Sequence, residues 1–320
     1  MKKHIPIITD EQERTISVKR FLSLVLPDDI TKLTHSSYSR SSELAMTTDW
    51  NRFVSFCEAK HVSALPTSIT AVRLFLESES AKRKFATLRR YSITISNIHQ
   101  WHGFPSPTNH RQIRFTLQQI RLNKHGDATQ ASPMSREHLV ELDRLLSGNT
   151  TLRNIRDLSI YHVMFECALK RSELKNLTLD NVCSRDNLTS LKIDTTEYVL
   201  SKAAEKALTR WTKFMTGSSG YLFRRIDRHG NIGLDKLDDS SIYRILRRAS
   251  DLLDLPYQHR FTGQSARVGA AQELEKRGYN LRDIQDYGRW LSPAMPAQYL
   301  QKSNTAQGEM AKFKSIKPWD

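Results

Sequence analysis

Four short stretches in the second half of the chain hold side chains equipped for chemistry: "ALKRSEL" at 168–174, "TGQSARVGAA" at 262–271, "GRW" at 288–290 and "AQYL" at 297–300. An arginine is a planar fork that meets phosphate oxygens two at a time, whereas a lysine is a compact point charge. Gln264 can donate or accept a hydrogen bond but cannot exchange a proton near neutral pH, and Tyr299 carries a hydroxyl. The whole chain favours an anion as partner: 49 lysines and arginines face 34 acidic residues, a formal charge of +15 in 320 residues. Such an excess points to a polyanion. Both halves share it, with 19 basic against 11 acidic residues up to Ala131 and 30 against 23 beyond. Cys57, Cys167 and Cys183 are isolated and odd in number, which fits neither a disulfide framework nor paired zinc ligands.

The elements that must position these groups follow from the apolar spacing. Residues 1–38 mix charges with one apolar stretch, "FLSLVL", and end in the cap-rich "HSSYSRSS", which reads as an arm with one short helix. Over 39–124 the apolar positions step at helical spacing: Met46, Trp50, Phe53, Val54 and Cys57; then Ile69, Val72, Phe75 and Leu76; then Leu88, Tyr91, Ile95 and Ile98; then Ile113, Leu117 and Ile120. The breaks between them fall at "LPTS" and "GFPSPTN", where proline and glycine stop a helix. Residues 125–133 lie in a polar stretch that ends in proline and read as a flexible linker without a core contribution. A second domain over 134–320 opens with helices, Ser135 capping the first. It then changes period at "LTSLKIDTTEYVLS", a compact hairpin, and continues mostly as helix. No apolar run approaches the roughly 18 residues of a membrane span and the start has no signal-like segment, so a cytoplasmic, DNA-associated protein of a prokaryotic cell without membrane contact is expected.

Two basic helical units joined by a linker suggest a clamp around duplex DNA, because phosphate neutralisation rewards contact from two sides. The four quoted segments, in that order and spacing, resemble the C-terminal signature of the tyrosine recombinases, the phage integrase family, and within it the Cre-like branch. "GFPSPTN" followed by "QQIRLNKHGDATQASP" is similar to the core-binding domain and linker of that branch, so the resemblance covers nearly the whole chain from about residue 40. It implies a mainly α fold: an N-terminal core-binding domain of four to five helices, SAM-like, followed by an α+β catalytic domain with a small hairpin or sheet. The implied chemistry is attack of a tyrosine hydroxyl on a DNA phosphodiester, a 3'-phosphotyrosyl link, and reversal by a 5'-hydroxyl from another strand. Covalent catalysis conserves the bond energy, so no metal or other cofactor is expected.

Carried over residue by residue, the resemblance puts Tyr299 at the nucleophile, Trp290 at the phosphate-donating tryptophan and Arg267 at the second arginine. Three positions depart. With Glu173 and Leu174 aligned to the family's Arg-x-x-Glu-Leu segment, Lys170 stands where the first arginine belongs. Arg171, next along, points about 100° away if both are helical. Gln264 replaces the histidine, and the hairpin turn "DTTE" lacks the general-acid lysine, leaving Lys192 and Lys202 to flank it. Arg171 and Lys192 are the candidate substitutes.

For the DNA, Lys82, Arg83, Lys84, Arg89, Arg90, Arg111, Arg114, Arg121 and Lys124 are candidate contacts of the first domain. In the second, "DDSSIYRILRRAS" resembles the helix that Cre-like proteins insert in the major groove, with Ser240, Ser241 and Arg244 toward base edges. Arg224, Arg225 and Arg228 read as a loop over the backbone. The tail, with Met310 and Phe313 at packing spacing, resembles the segment passed to a neighbouring subunit, implying a dimer to tetramer on an inverted-repeat site. The functional expectation is site-specific recombination or integration. The rival is a catalytically inactive DNA-binding protein on the same fold, a regulator or a replication or recombination accessory factor working with a protein partner. Nicking without full strand exchange is a third reading.

Overall fold

Asp10, Ser39 and Ser68 each turn a side-chain oxygen onto a backbone N–H at a helix start, satisfying donors that the helix leaves unpaired. These caps divide the N-terminal third of the computed structural model, which describes residues 5–124, 126–127, 129–148, 150–185, 188–215 and 219–302. The chain divides into two compact units, Met1–Thr129 and Gln130–Asp320.

In the first unit, α1 (Glu11–Phe21), α2 (Pro27–Leu33), α3 (Arg40–Ala59), α4 (Ile69–Ser80), α5 (Phe85–Trp101) and α6 (Arg111–Asn123) surround a core of Trp50, Phe53, Phe75, Leu88 and Ile95. The expected arm is corrected here: residues 1–38 supply two helices, and Ile5, Phe21, Val25, Ile30 and Leu33 join that core. Only part of "FLSLVL" turns inward. Asn51 holds the stretch by pairing with the N–H and C=O of Val25 at 2.8 and 2.9 Å, while Leu22, Leu24 and Leu26 stay exposed. The helix count of this domain is therefore six among the described residues.

The stretch read as a free linker is anchored at both ends. Asp127 accepts the N–H of Phe85 at 2.7 Å, capping α5 from a distance, and Ala131 and Met134 pack within the second unit. Small polar and apolar side chains made these contacts without an apolar period to announce them.

In the second unit, α7 (Arg136–Leu146) and α8 (Leu152–Glu166) are followed by α9 (Arg171–Asn176), β1 (Val182–Arg185), β2 (Leu188–Ile193), β3 (Thr196–Val199) and α10 (Lys202–Thr212). Then come β4 (Arg224–Ile226), β5 (Ile232–Lys236), α11 (Asp239–Leu252), α12 (Ser265–Lys276), α13 (Leu281–Tyr287) and α14 (Ala294–Tyr299). α8 is buried from Asn154 to Phe165, the central rod on which α7, α10 and α12 lie.

The expected hairpin is β2–β3, with Lys192 opposite Glu197, and β1 adds a third antiparallel strand through pairs such as Val182 with Leu191. The region around Arg224, Arg225 and Arg228 is a second hairpin rather than a loop. Asp227 gathers the N–H groups of His229 and Asn231 at 2.8 and 2.9 Å while Gly230 takes a positive φ of 88°, so a local turn closes β4 on β5. The protein is thus mainly α with two small antiparallel sheets, and no helix among the described residues is long and apolar enough to cross a membrane.

Candidate active site

Three segments of the second unit meet around Arg267: the α8–α9 turn, the first turns of α12, and the loop from α13 into α14. Two close approaches make the meeting possible. A Cβ on Gly269 would lie 1.7 Å from the Met134 carbonyl oxygen, and one on Gly288 would lie 1.8 Å from Trp290 Cζ3. Only glycine lets α12 touch the chain at Met134 and lets the indole fold back over its own loop.

Arg267 is 2 % exposed. Its Nη1 donates to the Ala168 carbonyl and its Nη2 to that of Gly288 at 2.8 Å, and its guanidinium lies 4.3 Å from the centre of a Trp290 ring. Among the described residues no carboxylate comes within ion-pair reach of it. Burial pulls its pKa below the ordinary arginine value, with Glu173 and Tyr299 favouring its charge and Arg289 opposing it. A buried cation met by carbonyls and a ring face keeps a charge that an anion would compensate.

Tyr299 closes α14 beside it. Its ring meets Trp290 edge-on at 5.8 Å, and its hydroxyl donates toward Gln264 Oε1 at 3.4 Å. Burial raises its pKa, while Arg267 and a hydrogen bond from Trp290 act in the opposite sense. The Tyr299 carbonyl accepts from Gln130 Nε2 at 3.1 Å and Gln272 Nε2 at 3.0 Å. Gln264 is the residue from which α12 starts, so its side chain faces the phenol.

At the first-arginine position, Lys170 is the N-cap of α9, with extended backbone at φ −76° and ψ 153°. Its Nζ pairs with Glu173 Oε1 at 2.9 Å and its N–H donates to Glu173 Oε2 at 2.8 Å. Because Lys170 is not helical, the rotation expected between it and Arg171 does not apply. The Arg171 stem crosses Gly263, where an added Cβ would lie 2.5 Å from its Cδ. That puts Arg171, exposed and without an ion pair to a described carboxylate, beside the Thr262–Gln264 turn.

Lys192 is not brought to the site. It stands on the sheet face opposite Leu191, Ile193 and Tyr198, and Lys202 pairs with Glu205 at 3.0 Å on α10.

Sequence reasoning used Glu173 only to align its segment and passed over Arg289. Arg289 Nη2 donates to Glu173 Oε2 at 2.8 Å and to the Cys167 carbonyl at 3.1 Å, and its Nη1 meets the Tyr198 hydroxyl. Burial would raise the Glu173 carboxyl, yet the hydrogen bonds from Arg289 and Lys170 hold it down to about 2. The only sequence signal for Arg289 was a charged residue beside the glycine of "GRW".

Of the candidate nucleic-acid contacts, Lys82, Arg89, Arg111, Arg114 and Arg121 are exposed, the last three along one face of α6. Arg83 pairs with Glu79 at 3.4 Å, Lys84 Nζ donates to Thr129, Lys124 caps the end of α6, and Arg90 forms a two-pronged pair with buried Asp49 at 2.8 Å. On α11 the outward face holds Ser240, Tyr243 and Arg244. Ser240 donates to Asp238, and half-buried Ser241 accepts from Arg244 at 3.0 Å. Arg224 is 4 % exposed, with its guanidinium turned onto the carbonyls of Tyr221 and Ser219, so it serves the fold. Beside α11 a cleft of about 410 Å³ is lined by Arg153, Arg156, Arg225, Arg244 and Arg248, with Asp157 and Asp238. Met310 and Phe313 lie outside the described residues.

Comparison with known proteins places this geometry in context. The family model described as "Phage integrase family" matches residues 139–305. The chain is 21% identical over 296 residues to "Recombinase cre" of Escherichia phage P1, across 84% of this chain and 85% of that protein. It is 24% identical over 274 residues to the "Integrase/recombinase xerD homolog" of Selenomonas ruminantium, across 80% of each. Among solved structures, XerH site-specific recombinase bound to palindromic difH substrate aligns with a TM-score of 0.63 at 12% identity, over 96% of this chain and 90% of that one. The Tn1549 transposon integrase in complex with circular intermediate DNA aligns at 0.62 and 11% identity, over 92% and 99%.

Proposed function

Because the chain belongs to the phage integrase family, we propose that it binds duplex DNA at an inverted-repeat site and cuts and rejoins strands through Tyr299, in site-specific recombination or integration. The observation that carries this reading is Arg267: a buried guanidinium with no described carboxylate in ion-pair reach, stacked on the Trp290 ring that the Tyr299 ring meets edge-on.

In the proposed reaction the Tyr299 oxygen attacks phosphorus, the bond to the 5' oxygen breaks, the phenol gives up its proton and the leaving oxygen gains one. Arg267 holds the phosphate from within, Lys170 reaches it as a point charge, and Arg171, free at the edge of the site, supplies the second fork that a lysine cannot. Trp290 donates from its indole N–H. Gln264 orients the hydroxyl but takes no proton, so the proton transfers run through other groups or water. No cofactor enters the reaction. The exposed arginines of α6 and the outward face of α11 supply phosphate and groove contacts. The tail, with Met310 and Phe313, links copies into a dimer or tetramer, and the protein acts on DNA in the cytoplasm of a prokaryotic cell.

A second reading rests on Gln264 and on Lys192 facing away: a DNA-binding protein of the same family that no longer cleaves. One experiment separates the two. The protein is incubated with a nicked duplex carrying the site it selects from a random-sequence pool. A denaturation-stable adduct that Tyr299→Phe abolishes is the expected result; footprinted binding without adduct would establish the non-cleaving reading.

A further inference from the structure

We propose that Arg289 is a positioning residue that keeps Glu173 paired, so that Lys170 can leave that carboxylate for the phosphate; this rests on the cleavage reading above. Glu173 is met by two cations: Lys170 Nζ on Oε1 at 2.9 Å, and Arg289 Nη2 on Oε2 at 2.8 Å. The two differ in freedom. The Lys170 side chain is 47% exposed, and that of Arg289 is 11% exposed.

Arg289 is also fixed from behind by the Cys167 carbonyl and the Tyr198 hydroxyl. Its backbone takes φ +54°, a left-handed conformation that a non-glycine residue adopts at a cost, and such strain concentrates at functional sites. Glycine would meet the demand of that backbone without the cost, so what arginine adds at this position is its side chain.

With Lys170 alone as partner, the half-buried Glu173 would hold the lysine, because its departure would strand a carboxylate. With Arg289 present the carboxylate stays neutralised when the lysine moves. Glu173 also acts electrostatically on Arg267, so an unneutralised Glu173 would compete with the phosphate for Lys170 and for Arg267.

Three full-length variants test this: Arg289→Gly, which suits the left-handed backbone, Arg289→Lys, and Arg289→Gly with Glu173→Gln. The first readout is adduct formation on the nicked duplex of the selected site. The second, independent of cleavage, is the acetylation rate of Lys170 by an N-hydroxysuccinimide ester, measured by mass spectrometry against Lys192 in the same molecule. Binding to the selected duplex serves as the folding control. Arg289→Gly should slow adduct formation by about tenfold or more and lower Lys170 reactivity by about threefold, with binding within about twofold of the parent. Adding Glu173→Gln should return both readouts to within about threefold of the parent, with Arg289→Lys in between. Unchanged Lys170 reactivity in Arg289→Gly, or failure of Glu173→Gln to restore it, overturns the inference. If the parent forms no adduct, the cleavage reading fails on its own while the acetylation arm still decides the role of Arg289.

Discussion

Gln264 stands where the resemblance to the family puts a proton-exchanging histidine, and its amide oxygen faces the Tyr299 hydroxyl at 3.4 Å. Orientation survives while proton exchange does not. Gln264→His should therefore speed adduct formation, by about tenfold or more, since general acid–base assistance typically contributes at least that much. The gain should carry a pH dependence near the imidazole value, checked by single-turnover rates from pH 5 to 8; a flat profile would mean that proton transfer does not limit the reaction. The order and spacing of their segments grouped Arg267, Trp290 and Tyr299, and the three side chains do lie together. Arg171 was named as a substitute, but its direction was misjudged, because a helix rotation was applied across Lys170, a cap residue outside the helix. Arg289 was invisible for a different reason: its importance comes from Glu173, 116 residues earlier.

Helices were read from period, and period says nothing of the polar groups that lock one element to another. His99 on α5 illustrates this. Its Nδ1 donates to the Ile95 carbonyl at 2.8 Å, and its Nε2 accepts the N–H of Thr67 at 3.1 Å, a pairing that requires the neutral ring. Burial depresses its pKa from 6.5 to about 4, against the favourable Ile95 bond. The folded value lies below the unfolded one, so the unfolded chain binds the proton first. The contribution of His99 is complete above about pH 6.5 and is lost as the pH falls through about 4. Thermal melts of the parent between pH 7 and 4 should show a loss of stability that His99→Gln lacks; identical pH slopes would assign the loss to other groups. The strands missed in the sequence, β1 and the β4–β5 hairpin, are three to five residues long, too short for alternation to emerge. The Asp227-to-Asn231 turn, with its glycine, was the readable sign of the second hairpin.

At the scale of the whole molecule, the charge of +15 makes affinity for DNA depend on salt, since each neutralised phosphate releases counterions. Arg114→Ala and Arg121→Ala on α6 should weaken binding to all sequences alike and each lower the slope of log affinity against log salt by about one. Arg244→Ala on α11 should instead narrow the gap between the selected site and random duplex; filter-binding titrations from 50 to 300 mM salt, about the range in which such slopes are read, measure both. Composition made the polyanion legible, and the division into two units followed from where apolar spacing stops. That side chains between Ile5 and Leu33 join a core could not be read, because their partners are supplied by α3 and by the end of α5. The two glutamine amides on the Tyr299 carbonyl reach further than local geometry. They act as a bearing for the short helix α14, holding its main chain at the last residue. One half of that bearing is Gln130, the first residue of the second unit. A second unit that starts at Ser132, inside the stretch that the sequence reads as a linker, would keep Arg267, Trp290 and Tyr299 and lose one of the two amides on the Tyr299 carbonyl.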